Sequence, residues 1–238
     1  MRCAEVSRNQ PALFPKSMKK LSLMVAALSA AATVCSQAAL LGTYDFSTES
    51  TVPTTAGMTF GAFSRANVTA ATVGGEFRSS AWNITSSIDT AEYVQFTLTP
   101  SSGTITFSSL SFRIDSHKAN GGGNDGGPNN VEVRLFASGN LGTALAAQTY
   151  TGLQSPQPQT LTFDPADQTS SSGFTIRLYG WNAESSAGTA SFDNVAVSGS
   201  LSAVPEPVNV ALLAFGVGAI GMWTGRRWFL RVNRATLW

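Results

Sequence analysis

Tyr93-Val94-Gln95-Phe96-Thr97-Leu98-Thr99 is the stretch that decides the fold. Apolar Val94, Phe96 and Leu98 alternate with polar Gln95, Thr97 and Thr99, the period of two expected of a strand with one buried face. The pattern returns at Phe174, Ile176 and Leu178. Between 104 and 115, Ile105 and Phe107 share one parity while Leu110, Phe112 and Ile114 share the other, which predicts a bulge near Ser108 and Ser109. Phe192, Val195 and Val197 show a similar slip at Asp193 and Asn194.

Outward from these runs, short apolar alternations separated by Gly, Pro, Asn and Ser clusters predict strands at 43–47, 58–63, 76–82, 92–99, 104–115, 131–137, 145–150, 160–164, 174–181 and 190–198. No amphipathic helix of useful length interrupts them. Strands without crossover helices imply an all-β, antiparallel two-sheet sandwich of jelly-roll type over residues 39–203, its first and last strands paired.

The 238 residues suit one such domain once both ends are set aside. Overall charge hides an asymmetry, because the basic residues gather at the two ends. Residues 39–204 hold six basic and twelve acidic side chains, a net of −6. Without a basic stripe, nucleic acid is not an expected partner.

Residues 1–38 read as an N-terminal extension and signal peptide. Met18-Lys19-Lys20 precedes the apolar run from Leu21 to Ala32, and Ser36-Gln37-Ala38 offers the small residues a signal peptidase reads, which places cleavage after Ala38. Translation from Met18 fits this better than from Met1. Cys3 and Cys35, the two cysteines, both precede the cut, so disulfides, thiol nucleophiles and thiolate metal sites are not expected in the mature protein.

Residues 204–238 form the other end. Pro205 and Pro207 flank Glu206, and two residues lacking N–H donors hold such a motif extended. From Val208 to Gly225 there is no charged residue, and eighteen residues of helix span about 27 Å, enough to cross a thin bilayer. Arg226, Arg227, Arg231 and Arg234 follow, which puts that flank in the cytoplasm and the body outside. Gly216, Gly218 and Gly221 match a dinucleotide fingerprint letter by letter, but no strand precedes them and close helix packing accounts for them better.

The extended Pro205-Glu206-Pro207, one apolar helix and the Arg226-Arg227 cluster together resemble the PEP-CTERM sorting signal of Gram-negative bacteria. That resemblance covers only about residues 204–227. It implies recognition by exosortase, a membrane-embedded cysteine protease and transpeptidase, with Pro205, Glu206 and Pro207 as the recognition element and Arg226 and Arg227 as the stop-transfer cluster. A departure is the further run to Trp238. The body is similar to jelly-roll modules found ahead of this signal and in carbohydrate-binding modules, on Phe174 to Trp181 and Phe192 to Val197.

Several residues are candidates for sites. Trp82, Tyr93, Tyr179 and Trp181 are aromatics that could stack on sugar rings, with Arg177, Asn182 and Glu184 as hydrogen-bonding neighbours. Trp181, Tyr179 and Arg177 are the expected glycan contacts, although aromatics in strands are more often core. Asp115, Asp125, Asn129 and Asn130 around a glycine-rich loop could gather oxygens for Ca²⁺, which a plain loop explains as well. Glu76, Glu92, Asp115, Glu132, Asp164, Glu184 and Asp193 could in principle supply a glycosidase pair, yet no spacing singles one out. His117, the only histidine, leaves no histidine metal site.

The expectation is therefore an exported, non-enzymatic protein of the cell surface or extracellular matrix, held transiently in the inner membrane and processed at Pro205-Glu206-Pro207. The alternative is a jelly-roll carbohydrate-binding module that takes an extracellular polysaccharide. A polysaccharide hydrolase or lyase is the third reading.

Overall fold

The computed structural model describes residues 38–71, 75–117, 126–154 and 158–202. Among them every regular element is a strand, and no helix is long and apolar enough to cross a membrane. The segment expected to be a signal peptide, apart from Ala38, lies outside the described residues, as do the Pro205-Glu206-Pro207 motif, the apolar segment and Arg226 and Arg227.

The strands are β1 (Ala39–Tyr44), β2 (Thr54–Thr55), β3 (Met58–Phe60), β4 (Ser64–Ala66), β5 (Thr69–Ala70), β6 (Phe77–Ser80) and β7 (Tyr93–Pro100). After them come β8 (Thr104–His117), β9 (Pro128–Ala137), β10 (Ala146–Thr151), β11 (Gln159–Phe163), β12 (Gln168–Ser170), β13 (Phe174–Ala183) and β14 (Thr189–Ser202). The first sheet runs β11-β8-β14-β6-β5, with β1 also on β14 and β12 also on β8. The second runs β10-β9-β13-β7-β3-β2, with β4 also on β7. All the pairings are antiparallel. The chain changes sheet from β7 to β8, from β8 to β9 and again from β13 to β14, so consecutive long strands lie in opposite sheets rather than pairing as hairpins.

Alternation along β7 does what its sequence requires: Val94, Phe96 and Leu98 are buried while Gln95 and Thr97 are only half-buried. On β8 the register passes from Ser109 opposite Ser198 to Phe107 opposite Gly199, which leaves Ser108 as the extra residue of the expected bulge. A second irregularity lies between Asp193 and Ala196, where the apolar pattern slips. β1 pairs with β14 along its length, Ala39 opposite Gly199 and Tyr44 opposite Val195.

Between the sheets sits one aromatic-rich core. Tyr44, Phe46, Phe63, Phe77 and Phe96 form a chain of ring contacts with centroids 4.7–5.9 Å apart. Each fully buried ring stabilises by about 2–3 kcal/mol relative to exposure, and edge-on geometries add to that. The Tyr44 hydroxyl, its ionisation pushed far above the ordinary range by burial, keeps its proton and donates to the Gly61 carbonyl at 2.7 Å.

Candidate functional site

The parity that fills the core also decides what stands on the outside of the second sheet. Tyr93, Gln95 and Thr97 project outward from β7, Thr175, Arg177, Tyr179 and Trp181 from β13, and Glu132, Arg134 and Phe136 from β9. Register brings them into rows across the sheet. Arg177 stands opposite Gln95 on one side and Arg134 on the other, Tyr179 opposite Glu132, and Trp181 opposite Asn130.

Two arginines directly across a pair of strands would repel, and the face resolves this by treating them differently. Glu132 neutralises Arg134 by accepting from its Nε and also accepts from the Thr149 hydroxyl at 2.8 Å. The Arg134 guanidinium then lies over the Tyr179 ring, 4.8 Å from its centre. Arg177 instead lies over Tyr93 at 4.1 Å, with Phe136 at 5.4 Å, and its Nε donates to Gln95 Oε1 at 3.0 Å. Tyr93 and Tyr179 meet edge-on, centroids 5.5 Å apart. The result is a flat row in which guanidinium planes cover aromatic rings and carry donors at their edges.

The named glycan candidates are thus brought to one face, but at different depths. Arg177 is half-buried at the surface, whereas Tyr179 is 1 % and Trp181 8 % exposed. The Trp181 indole N–H donates at 3.2 Å to the Asn130 side-chain oxygen, with that amide's nitrogen toward the Asn129 carbonyl. The backbone of Asn83 and Thr85 covers the end of β13, accepting from Ala183 and Asn182. Asn182 takes a positive φ of 58°, which asparagine tolerates. Glu184 is exposed beyond it.

Trp82 departs from the expectation of a strand through 82. β6 ends at Ser80, Ala81 turns at φ 60°, and the indole swings into the core, its N–H on the Ser79 carbonyl at 2.8 Å. Gln95, Arg134 and Phe136 were not singled out from the sequence. The signal was present: in Val131-Glu132-Val133-Arg134-Leu135 the polar parity is as regular as the apolar one.

The carboxylates gather elsewhere. On the outer face of the first sheet Arg113 contacts Glu76 at 3.4 Å, Asp115 at 3.5 Å and Asp193 at 3.7 Å, while Arg78 holds Glu76 at 2.9 Å. Burial alone would raise the Glu76 carboxyl, but hydrogen bonds from Ser191, Arg78 and Arg113 and the Arg78 charge outweigh it, and the net shift is downward. A carboxylate held ionised in this way is not set up as a general acid. Glu92 shifts the other way, raised by burial and by Asp89 against one backbone hydrogen bond from Asn83.

Asp115 and Asn130 stand on outer faces of different sheets, and Asp125 lies outside the described residues. Among the described residues no three His, Cys, Asp or Glu side chains cluster to hold a metal. His117 closes β8.

No protein-family model matches this chain, and no curated protein matches it. Among solved structures it is similar to a family 29 carbohydrate-binding module mutant complexed with mannohexaose, at 15 % identity and a TM-score of 0.41, over 68 % of this chain and 93 % of that one. Another structure of that module type matches at 15 % identity and 0.40, over 68 % and 90 %. A mutant complexed with cellulohexaose matches at 14 % and 0.39, over 70 % and 93 %.

Proposed function

We propose that the sandwich is a non-catalytic glycan-binding domain and that the outer face of its second sheet is the contact surface. What carries this reading is the row formed by Tyr93, Gln95, Arg177 and Arg134 on three adjacent strands, in which aromatic rings and guanidinium planes are stacked and donors lie along one edge. Sugars offer flat C–H surfaces for planar groups and hydroxyls for forked donors and amides, and this face supplies both in a fixed arrangement. Electrophoresis of the full chain in mild detergent through gels holding soluble polysaccharides tests it. Retardation by at least one polymer is the expected result, and unchanged migration in a broad panel of neutral and acidic polymers removes the proposal.

The sequence supplies the route. We propose export with cleavage by signal peptidase after Ala38, transient anchoring in the inner membrane by the apolar segment after Pro207, and processing by exosortase at Pro205-Glu206-Pro207 for delivery to the cell surface or its matrix. Two features of the sandwich support the reading. β1 begins at Ala39, the residue such a cut makes the first, and its pairing with β14 brings the two ends of the domain to one edge. Intact mass from the host envelope and medium tests it: a species from Ala39 to about Pro207, lost in Glu206→Ala, is expected, and a full-length C-terminus in both withdraws the exosortase step.

A further inference from the structure

The described residues include five arginines, and four of them are ion-paired. Arg65 meets Glu49 at 2.6 Å, Arg78 and Arg113 share the Glu76 cluster, and Arg134 has Glu132. Arg177 has no carboxylate partner among the described residues, in a body with twice as many acidic as basic side chains. Counter-charge is abundant in this chain, yet among the described residues none of it is ion-paired with this side chain.

Its surroundings hold it rather than neutralise it. Tyr93 and Phe136 support the guanidinium plane, and Gln95 Oε1 takes the Nε proton at 3.0 Å. Nη1 and Nη2 donate to no described group of the chain, and neither does the Gln95 amide nitrogen beside them. Arg134 across the strand pair is already compensated. One positive charge therefore remains on the face, presented as two parallel N–H edges on a half-buried, oriented fork.

Resting on the glycan-binding reading above, we propose that Arg177 receives a carboxylate, and that the ligand is a uronate-bearing polysaccharide rather than a neutral one. Nη1 and Nη2 make paired hydrogen bonds to the two carboxylate oxygens, and the Gln95 amide donates to a neighbouring oxygen. A neutral chain leaves that charge without a partner on the bound face, so acidic polymers are preferred.

Affinity electrophoresis of the full chain in gels of polygalacturonate, its methyl ester, a neutral glucomannan and dextran sulfate tests this. Polygalacturonate should hold the protein about ten-fold more tightly than the methyl ester, which masks the carboxylate on the same backbone. Arg177→Gln and Arg177→Lys should each remove that preference, Lys because it keeps the charge but loses the fork. Equal binding of polymer and ester, dextran sulfate held as well as polygalacturonate, or an Arg177→Lys protein that keeps the preference overturns the proposal. The ester comparison on the unchanged protein decides even if a variant fails to fold. Retardation by glucomannan without any by polygalacturonate ends the uronate assignment and leaves the glycan-binding reading standing, whereas no retardation by any polymer ends both.

Discussion

The Tyr150 hydroxyl donates to the Thr162 carbonyl at 2.7 Å, and so bonds an edge strand of the second sheet to an edge strand of the first. β10 and β11 lie on different sheets, so this side chain reaches from one sheet to the other. The Tyr150 ring does so over Phe112, edge-on at 6.3 Å. Tyr150→Phe keeps that ring contact and removes the bond, for a loss of about 1 kcal/mol, read as a lower urea midpoint with an unchanged slope.

The same hydroxyl gives an alkaline signature. Burial pushes Tyr150 up to about 12 from its ordinary 10.0, so the unfolded chain releases this proton first. Its contribution is complete below pH 10 and is lost as pH rises toward 12. Unfolding measured between pH 9 and 11.5 should show stability falling more steeply in the parent than in Tyr150→Phe; parallel curves would contradict the assignment.

Glu76 predicts the acid limb. Its carboxyl sits below the usual range in the folded protein because Ser191, Arg78 and Arg113 hold the charged form against burial. A depressed carboxylate stabilises fully above the unfolded value and is lost as pH falls through the folded one. Glu76→Gln should cost about 1–3 kcal/mol at pH 7, since it leaves Arg78 without its carboxylate and Arg113 with one fewer. The difference should begin to shrink as pH falls below the unfolded value, about 4.3, and should vanish only at lower pH, where the folded carboxyl is protonated as well. Thermal melts at pH 3 and pH 7 check this.

How far the chain explains itself is clearest on β7 and β13. Their apolar residues recur at every second position, which makes the long central strands legible, and the parity slips on β8 and β14 make both bulges so. β2, β4, β5 and β12 were not legible, because two or three residues are too short for any period and owe their strand geometry to a neighbour. β1 begins at Ala39, earlier than the apolar count suggests, because β14 extends beside it. For the candidate face, the residue types were readable and their depth was not. Tyr179 and Trp181 occupy outward positions on β13, but Arg134 lies over the Tyr179 ring and Asn130 holds the Trp181 indole N–H, and neither partner is near in sequence.

Glu92 carries a raised carboxyl, and its Oε2 is buried with no hydrogen-bond partner. Burial is the larger cause and the Asp89 charge the smaller, against the Asn83 backbone bond. A carboxyl raised in the folded state costs stability once pH exceeds its unfolded value, near 4.3, because the folded protein then holds a charge it solvates poorly. Glu92→Gln removes the charge and keeps the shape. The variant should melt above the parent at pH 7.5 and equal to it near pH 4; a lower melting point at neutral pH would show that the charge has a partner that stabilises it.

Gly180 sits on β13 where the Trp82 indole enters the core. A Cβ built there lies 2.8 Å from the Trp82 ring, closer than real contacts allow, and 3.0 Å from the Pro128 ring, which is tight. Neither neighbour can yield easily. Trp82 is 1 % exposed and tied through its N–H to Ser79, and Pro128 starts β9 opposite Ala183. Gly180→Ala should therefore destabilise by about 1–3 kcal/mol through overpacking, although alanine has the better intrinsic preference. Trp82→Phe in the same chain frees the space, so the double variant should lose less than the two single losses added. Denaturant midpoints of the four proteins measure that coupling, and simple additivity would mean that the ring and the missing Cβ do not compete for one volume.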